Sequence, residues 1–348
     1  MLGVKQEEQS KCGLKMFNIF SEFQPLTHVA IGNINSNQEL IQTLPVLGDT
    51  HKSDLESLFN QTRQDFSIIQ QALTYAGVTV EQSSTYNIGQ EPAQSLPLAV
   101  RDWFFIYGED VMIPHQHFAW HQMRSRSLDH VFNNSKKVTR WFGDAVPFNN
   151  DNTENIQTVF YDGANFLRCG KHIFYSQKVS PYGCKYGLES IKKLILDRRP
   201  DTNFVEVETD GHLDGALFLV RPGLLITSLK NLPDCFSSWD KIYVDYDTHK
   251  FTRQHEDLMY SKYHPLLVNK WHWYQQTNPQ ETAFSLNALS INENTVMFPG
   301  YDEKVFKQLE KYNIECINLN LKTCYFWDNG LHCFTNELHR EGSIENYF

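Results

Sequence analysis

The sequence predicts an α/β fold, and three observations carry that reading. At three places a short β-branched strand leads through a turn into an amphipathic helix and out to a second strand. The 348 residues are 41% apolar and 14% aromatic, which is enough material for a substantial core. No Pro/Ser-rich linker divides them, so residues 17–348 read as one domain behind a loose tail over 1–16.

The first unit opens with THVAIG (27–32). Leu58, Phe66, Ile69 and Leu73 then recur on one face of a helix over 54–77, with Gly77 as its stop, and VTVEQS (78–83) is the second strand. The second unit runs HIFYSQ (172–177), KYGLESIKKLILDRRP (185–200) and NFVEVET (203–209). The third runs NTVMFPG (294–300), DEKVFKQLEKYN (302–313) and IECINLN (314–320). Between them, WFFIY (103–107) reads as an aromatic strand turned at Gly108, and ALFLV (216–220) as a strand buried on both faces. The copies share a pattern rather than residues.

Charge and composition exclude several functions. A formal net charge of -10 repels nucleic acid and anionic membranes alike, and the nearest basic cluster, LDRRP (196–200), reads as a solvated loop. The start, MLGVKQEEQSKCG, has no apolar core of signal-peptide length, and no run of eighteen apolar residues follows, so a cytoplasmic, soluble protein is expected. Seven cysteines without a CxxC pair point to reduced thiols, at most one of them reactive. HQHFAWH (115–121) sets His117 and His121 at helical spacing, but no acidic or cysteine ligand is near and Pro114 makes the start irregular. We therefore expect neither metal nor cofactor.

Four places hold residues with chemical potential, each with an ordinary structural alternative. His212 and Asp214 are two apart at the mouth of a strand, where both project to one face. Arg101 and Asp102 abut the aromatic strand, which equally suits an exposed ion pair. Asp162 lies in YDGAN, where Asp-Gly suits a tight turn. Cys333 follows His332 in GLHC near residue 348; an unpaired cysteine is commonly a small buried apolar side chain, and here a nucleophile is the other reading.

Taken together these segments resemble the amidinotransferases, over nearly the whole chain. SEFQPLTHVAIG (21–32) looks like the family's opening strand, VRDWFFIYGEDVMI (100–113) like its P-R-D strand, and YDGANFLRCGKHIF (161–174) like its F-D-A-A-D segment. HLDGALFLVRPGLLI (212–226) is similar to its H-I-D-x-T-F block, and GLHCFTNELHREGSIENYF (330–348) to its terminal G-F-H-C-W-T block. The resemblance implies a five-bladed α/β propeller of ββαβ modules, the pentein fold, with pseudo-fivefold symmetry. It implies Cys333 as nucleophile, His212 as general acid/base, Asp162 as the carboxylate orienting it, and Asp102 and Asp214 as the pair that holds a guanidinium. Arg101 is carried with them as a substrate-binding residue. Val100 replaces the proline of P-R-D, and Asn165 replaces the second aspartate of F-D-A-A-D. The family arginine that grips a substrate carboxylate has no clear counterpart in TSLKNLPDCF (227–236); Lys230 is the candidate electrostatic substitute there, as a point charge rather than a bidentate fork.

The implied reaction moves an amidino group from L-arginine or a similar donor to an amine. The alternatives are a deiminase, in which water resolves the same intermediate, and an inactive binding propeller. The partners expected are small molecules, with a homodimer by family analogy. The run NKWHWYQQ (269–276) reads either as part of an acceptor pocket or as a core aromatic cluster.

Overall fold

A computed structural model describes residues 17–34, 49–84, 98–115, 126–133, 135–141, 158–176, 183–209, 211–244, 285–327 and 329–348. The tail expected over 1–16, His117, His121 and the aromatic run 269–276 lie outside the described residues.

Strand pairing follows one design throughout. Among the described residues, fifteen strands form five three-stranded sheets, each made of an antiparallel pair extended by a parallel third strand. One sheet orders β3 (Phe105–Tyr107), β4 (Asp110–Ile113) and β5 (Val138–Arg140). The next orders β6 (Phe166–Cys169), β7 (His172–Ser176) and β8 (Asn203–Val207). Then come β9 (Leu217–Arg221), β10 (Leu224–Thr227) and β11 (Asp240–Tyr243), and after them β12 (Leu289–Asn292), β13 (Thr295–Phe298) and β14 (Glu315–Asn318). The remaining sheet draws on both ends of the chain: β15 (Thr335–Arg340) pairs antiparallel with β1 (Leu26–Ile31), and β1 pairs parallel with β2 (Thr79–Gln82).

A parallel third strand requires a crossover, and the crossovers explain the sequence pattern. Helix α1 (Asp49–Tyr75) joins β1 to β2, and Gly77 at φ +81° ends the connection as expected. Between β4 and β5 the short α2 (Asp129–Phe132) is found. Helix α3 (Lys185–Arg198) joins β7 to β8, and α4 (Glu303–Glu310) joins β13 to β14, with Asp302 capping it by accepting from the amides of Lys304 and Val305. The link from β10 to β11 carries a single 3-10 turn, Asp234–Phe236. Two one-turn helices, α5 (Cys324–Trp327) and α6 (Leu331–Phe334), lead into β15. Among the described residues no helix is long and apolar enough to cross a membrane.

Each sheet shares its apolar surface with two others. Phe105 and Met112 meet Phe166 and Ile173 in one core; Leu167 and Phe174 meet Leu219 and Leu225 in the next. Phe218 and Ile226 pack with Val296 and Phe298, and Leu289 and Met297 pack with Val29 and Ile31. Ala30 and Leu338 then pack with Ile106 and Val111. This alternation of inward faces is the period-2 signature of strands buried on both sides.

Candidate active site

Just before the outer antiparallel strand of each described sheet, the backbone makes one short turn. These turns are Val100–Trp103 ahead of β3, Gly163–Asn165 ahead of β6, Leu213–Gly215 ahead of β9, residues 285–287 ahead of β12, and α6 ahead of β15. They carry the polar residues. Asp102 lies inside its turn, Asp162 and His212 hold the N-cap positions of theirs, and Asp214, Asn287, His332 and Cys333 complete the set. His212 and Asp214 were expected at a strand mouth; they sit instead on a 3-10 turn, and β9 begins only at Leu217. Gly163 lets its turn lie against its neighbour, since a Cβ there would stand 2.4 Å from the Phe104 carbonyl and 2.5 Å from that of Arg101.

Two carboxylates flank the imidazole of His212. Its Nε2 is 3.2 Å from Asp162 Oδ2, and its Nδ1 is 3.8 Å from Asp102 Oδ1. The other half of the site centres on sulfur. The Cys333 thiol donates to Asp214 Oδ2 at 3.6 Å, and Asn287 Nδ2 donates to Cys333 Sγ at 3.1 Å. His332 Nδ1 holds the same Asp214 oxygen at 2.8 Å, while Asp214 Oδ1, buried, accepts no hydrogen bond among the described residues.

The charges follow from these neighbours. Burial disfavours an imidazolium at His212, but the carboxylates of Asp102, Asp162 and Asp214 outweigh it and raise its pKa to about 9. Burial raises the carboxyl of Asp162, partly offset by the bond to His212. For Asp214 burial is overcome by the hydrogen bond and charge of His332, so it stays below the usual carboxylate range. Cys333 is pushed well above an ordinary thiol by burial and by the negative charges of Asp214 and Asp102. The site therefore keeps a neutral thiol beside Asp214 and an imidazolium between Asp102 and Asp162.

Below these groups lies a buried ionic network. Arg168 bonds Glu22 through Nε at 2.7 Å and Glu337 through Nη2 at 2.7 Å. Arg101 Nη1 meets Glu337 Oε2 at 2.6 Å, and Arg340 Nη2 meets Glu337 Oε1 at 3.1 Å. His332 Nε2 touches Glu22 Oε2 at 3.4 Å, which ties the network to Asp214. Arg101, expected as a substrate-binding residue, is 2% exposed; its Nη1 meets Glu337 and its Nε donates to the His332 carbonyl, while its buried Nη2 has no hydrogen-bond partner among the described residues. Lys230 lies exposed after β10, and no ion pair joins it to the site among the described residues. Glu22, His332 and Glu337 have the spacing of a metal triad, but guanidinium donors already occupy both glutamates. Asn287 and His332 are the residues that sequence reasoning missed. His332 had a signal in its place beside Cys333, whereas Asn287 in SLNALSIN reads as the edge of a core strand.

No family model matches the chain. It is 24% identical over 191 residues to the mitochondrial glycine amidinotransferase of Xenopus laevis, covering 54% of this chain and 40% of that protein. The chain thus matches less than half the length of this relative. Among solved structures it is similar to SxtG, an amidinotransferase of Microseira wollei in the saxitoxin biosynthetic pathway, with a TM-score of 0.69 and 17% identity over 95% of this chain and 99% of that one. It is also similar to the inosamine-phosphate amidinotransferase StrB1 of Streptomyces griseus, with a TM-score of 0.68 and 17% identity over 96% and 99%. These likenesses show a shared fold.

Proposed function

We propose that this chain, a relative of the amidinotransferases, carries an amidino group from an arginine-like guanidine to an amine by way of an amidino-Cys333 intermediate. The observation that carries the reading is the gathering, from separate turns, of a thiol 3.6 Å from Asp214 and an imidazole held between Asp102 and Asp162. The five sheets, with cores shared in succession and the last returning to the first, support a five-bladed propeller with these turns at one end of it.

In this scheme Asp102 and Asp214 grip the planar cation, and the unsatisfied Asp214 Oδ1 supplies an acceptor for one of its N–H groups. The donor then cancels the two charges that hold the Cys333 proton on, so its arrival eases ionisation of the thiol to solvent. The thiolate adds to the central guanidine carbon. The His212 imidazolium gives its proton to the departing amine as the C–N bond breaks, leaving an amidino-thioether. The incoming amine attacks that carbon, His212 takes a proton back, and the thiolate leaves. Asp162 fixes the imidazole by its bond to Nε2.

The test is incubation with isotopically labelled arginine and a panel of amines, read by mass. The scheme requires an amidino adduct on Cys333, loss of turnover in Cys333→Ala, and label in a new guanidine together with ornithine. Labelled citrulline in place of the new guanidine would make the protein a deiminase. Turnover surviving in Cys333→Ala would end both readings.

A further inference from the structure

The turn that bears the sulfur is not capped from within. Gly330 stands at its N-cap position and supplies no side-chain hydrogen bond, although the first amides of any helix need acceptors. Asn287, from a different sheet, fills that role. Its backbone carbonyl accepts from the His332 amide at 3.2 Å, and its Oδ1 accepts from the Cys333 amide at 2.9 Å. Those are the amides that a side chain at the N-cap itself would ordinarily serve.

With the carbonyl end fixed in this way, the amide nitrogen has one direction left. Nδ2 reaches Cys333 Sγ at 3.1 Å and Asp214 Oδ2 at 3.4 Å, so one planar group grips the amide and the sulfur of the same residue. The chain makes room for it. A Cβ on Gly330 would stand 2.4 Å from Asn287 Cβ and 2.5 Å from its Oδ1, so only glycine at 330 admits the asparagine this close. Asn287 is 5% exposed, which shields the N–H···S bond from competing water.

We propose that Asn287 is a further catalytic residue, whose amide N–H stabilises the Cys333 thiolate while its carbonyl sets the direction in which the sulfur points. The inference rests on the reading of Cys333 as the nucleophile. Its function is opposite to that of the two neighbouring acids: Asp214 and Asp102 hold the proton on sulfur, whereas the Asn287 donor favours the ionised form. When the thiolate is regenerated at the end of a cycle, the same N–H receives it.

The experiment is alkylation of Cys333 by iodoacetamide without any guanidine present, followed by mass spectrometry of the Cys333 peptide between pH 7 and 10. Because only the thiolate reacts, the rate below the thiol pKa reports its stabilisation directly. A hydrogen bond to a charged acceptor sets the scale, so Asn287→Ala is expected to slow alkylation at fixed pH by about tenfold. Asn287→Asp keeps the acceptor for the Cys333 amide and loses the donor, so it carries the test should the alanine variant fail to fold. It also adds a negative charge, which further slows the reaction. Thermal melts identify the folded variants. A folded variant that alkylates as fast as the unsubstituted protein, or faster because the site has merely loosened, overturns the proposal. Slowed alkylation in the variants together with no turnover of any guanidine by the unsubstituted protein would uphold the Asn287 bond to the thiolate while removing the transferase reading, so the two failures are distinct.

Discussion

Replacing Asp162 by asparagine removes one of the charges that keep His212 protonated. The imidazole stands at about 9 against an ordinary 6.5, a difference worth about 3 kcal/mol in favour of the cation. Asp162 makes the closest contact, 3.2 Å at Nε2, whereas Asp102 is 3.8 Å from Nδ1. A hydrogen bond involving an ion contributes about 1.5–3 kcal/mol, so Asp162→Asn should lower the His212 pKa by about one to two units. Imidazole resonances followed by NMR through a pH titration measure this directly. The same shift has a thermodynamic face. A histidine raised in the folded state stabilises it fully below its unfolded pKa and loses that contribution as pH climbs through the folded value, here between about 6.5 and about 9. Urea unfolding of the unsubstituted protein should show this contribution falling across that window, and Asp162→Asn should flatten the fall. A His212 titration unmoved by Asp162→Asn would refute the electrostatic account of the site.

Other expectations follow from the same geometry. Asp214→Asn leaves the groups in place but removes a charge from the proposed guanidinium grip, so isothermal titration should show arginine binding about ten- to a hundredfold weaker. Glu337→Ala leaves Arg101 and Arg340 without their carboxylate partner in the interior and Arg168 with Glu22 alone, and denaturant unfolding should register a loss of about 3–5 kcal/mol. Asp302→Ala uncaps α4 and should cost about 1 kcal/mol in the same assay, with no change in Cys333 alkylation.

The sequence disclosed those modules whose crossover is a long amphipathic helix, because period-3.6 patterning is visible locally. Helices α1, α3 and α4 fall within a few residues of the segments read for them. The sheets of β3 to β5 and β9 to β11 showed one strand each, at 103–107 and 216–220, since α2 has four residues and the β10–β11 link only a 3-10 turn. Cys333, His212, Asp162, Asp102 and Asp214 stood out locally as candidates, but their roles came from resemblance; in the structure Asp162 and Asp102 flank His212, and Asp214 accepts from Cys333. The burial of Arg101 was not legible either: beside Asp102 in sequence it equally suits a surface ion pair, but its Nη1 meets Glu337, 236 residues away. Nothing local marks such a pair. Asn287 was invisible for the same cause, as its partners Asp214 and Cys333 lie 73 and 46 residues off.

The pairing of β1 with β15 sets the order in which the protein can finish folding. Leu26 aligns with Arg340 and Ile31 with Thr335, so a strand made early on the ribosome waits for one made more than 300 residues later. Until then β1 has an unsatisfied edge, open to adventitious strands. Arrival of the last strand closes that edge, buries Glu337 among its arginines and delivers Cys333 to Asp214. Closure of that edge and assembly of the proposed site are thereby one event.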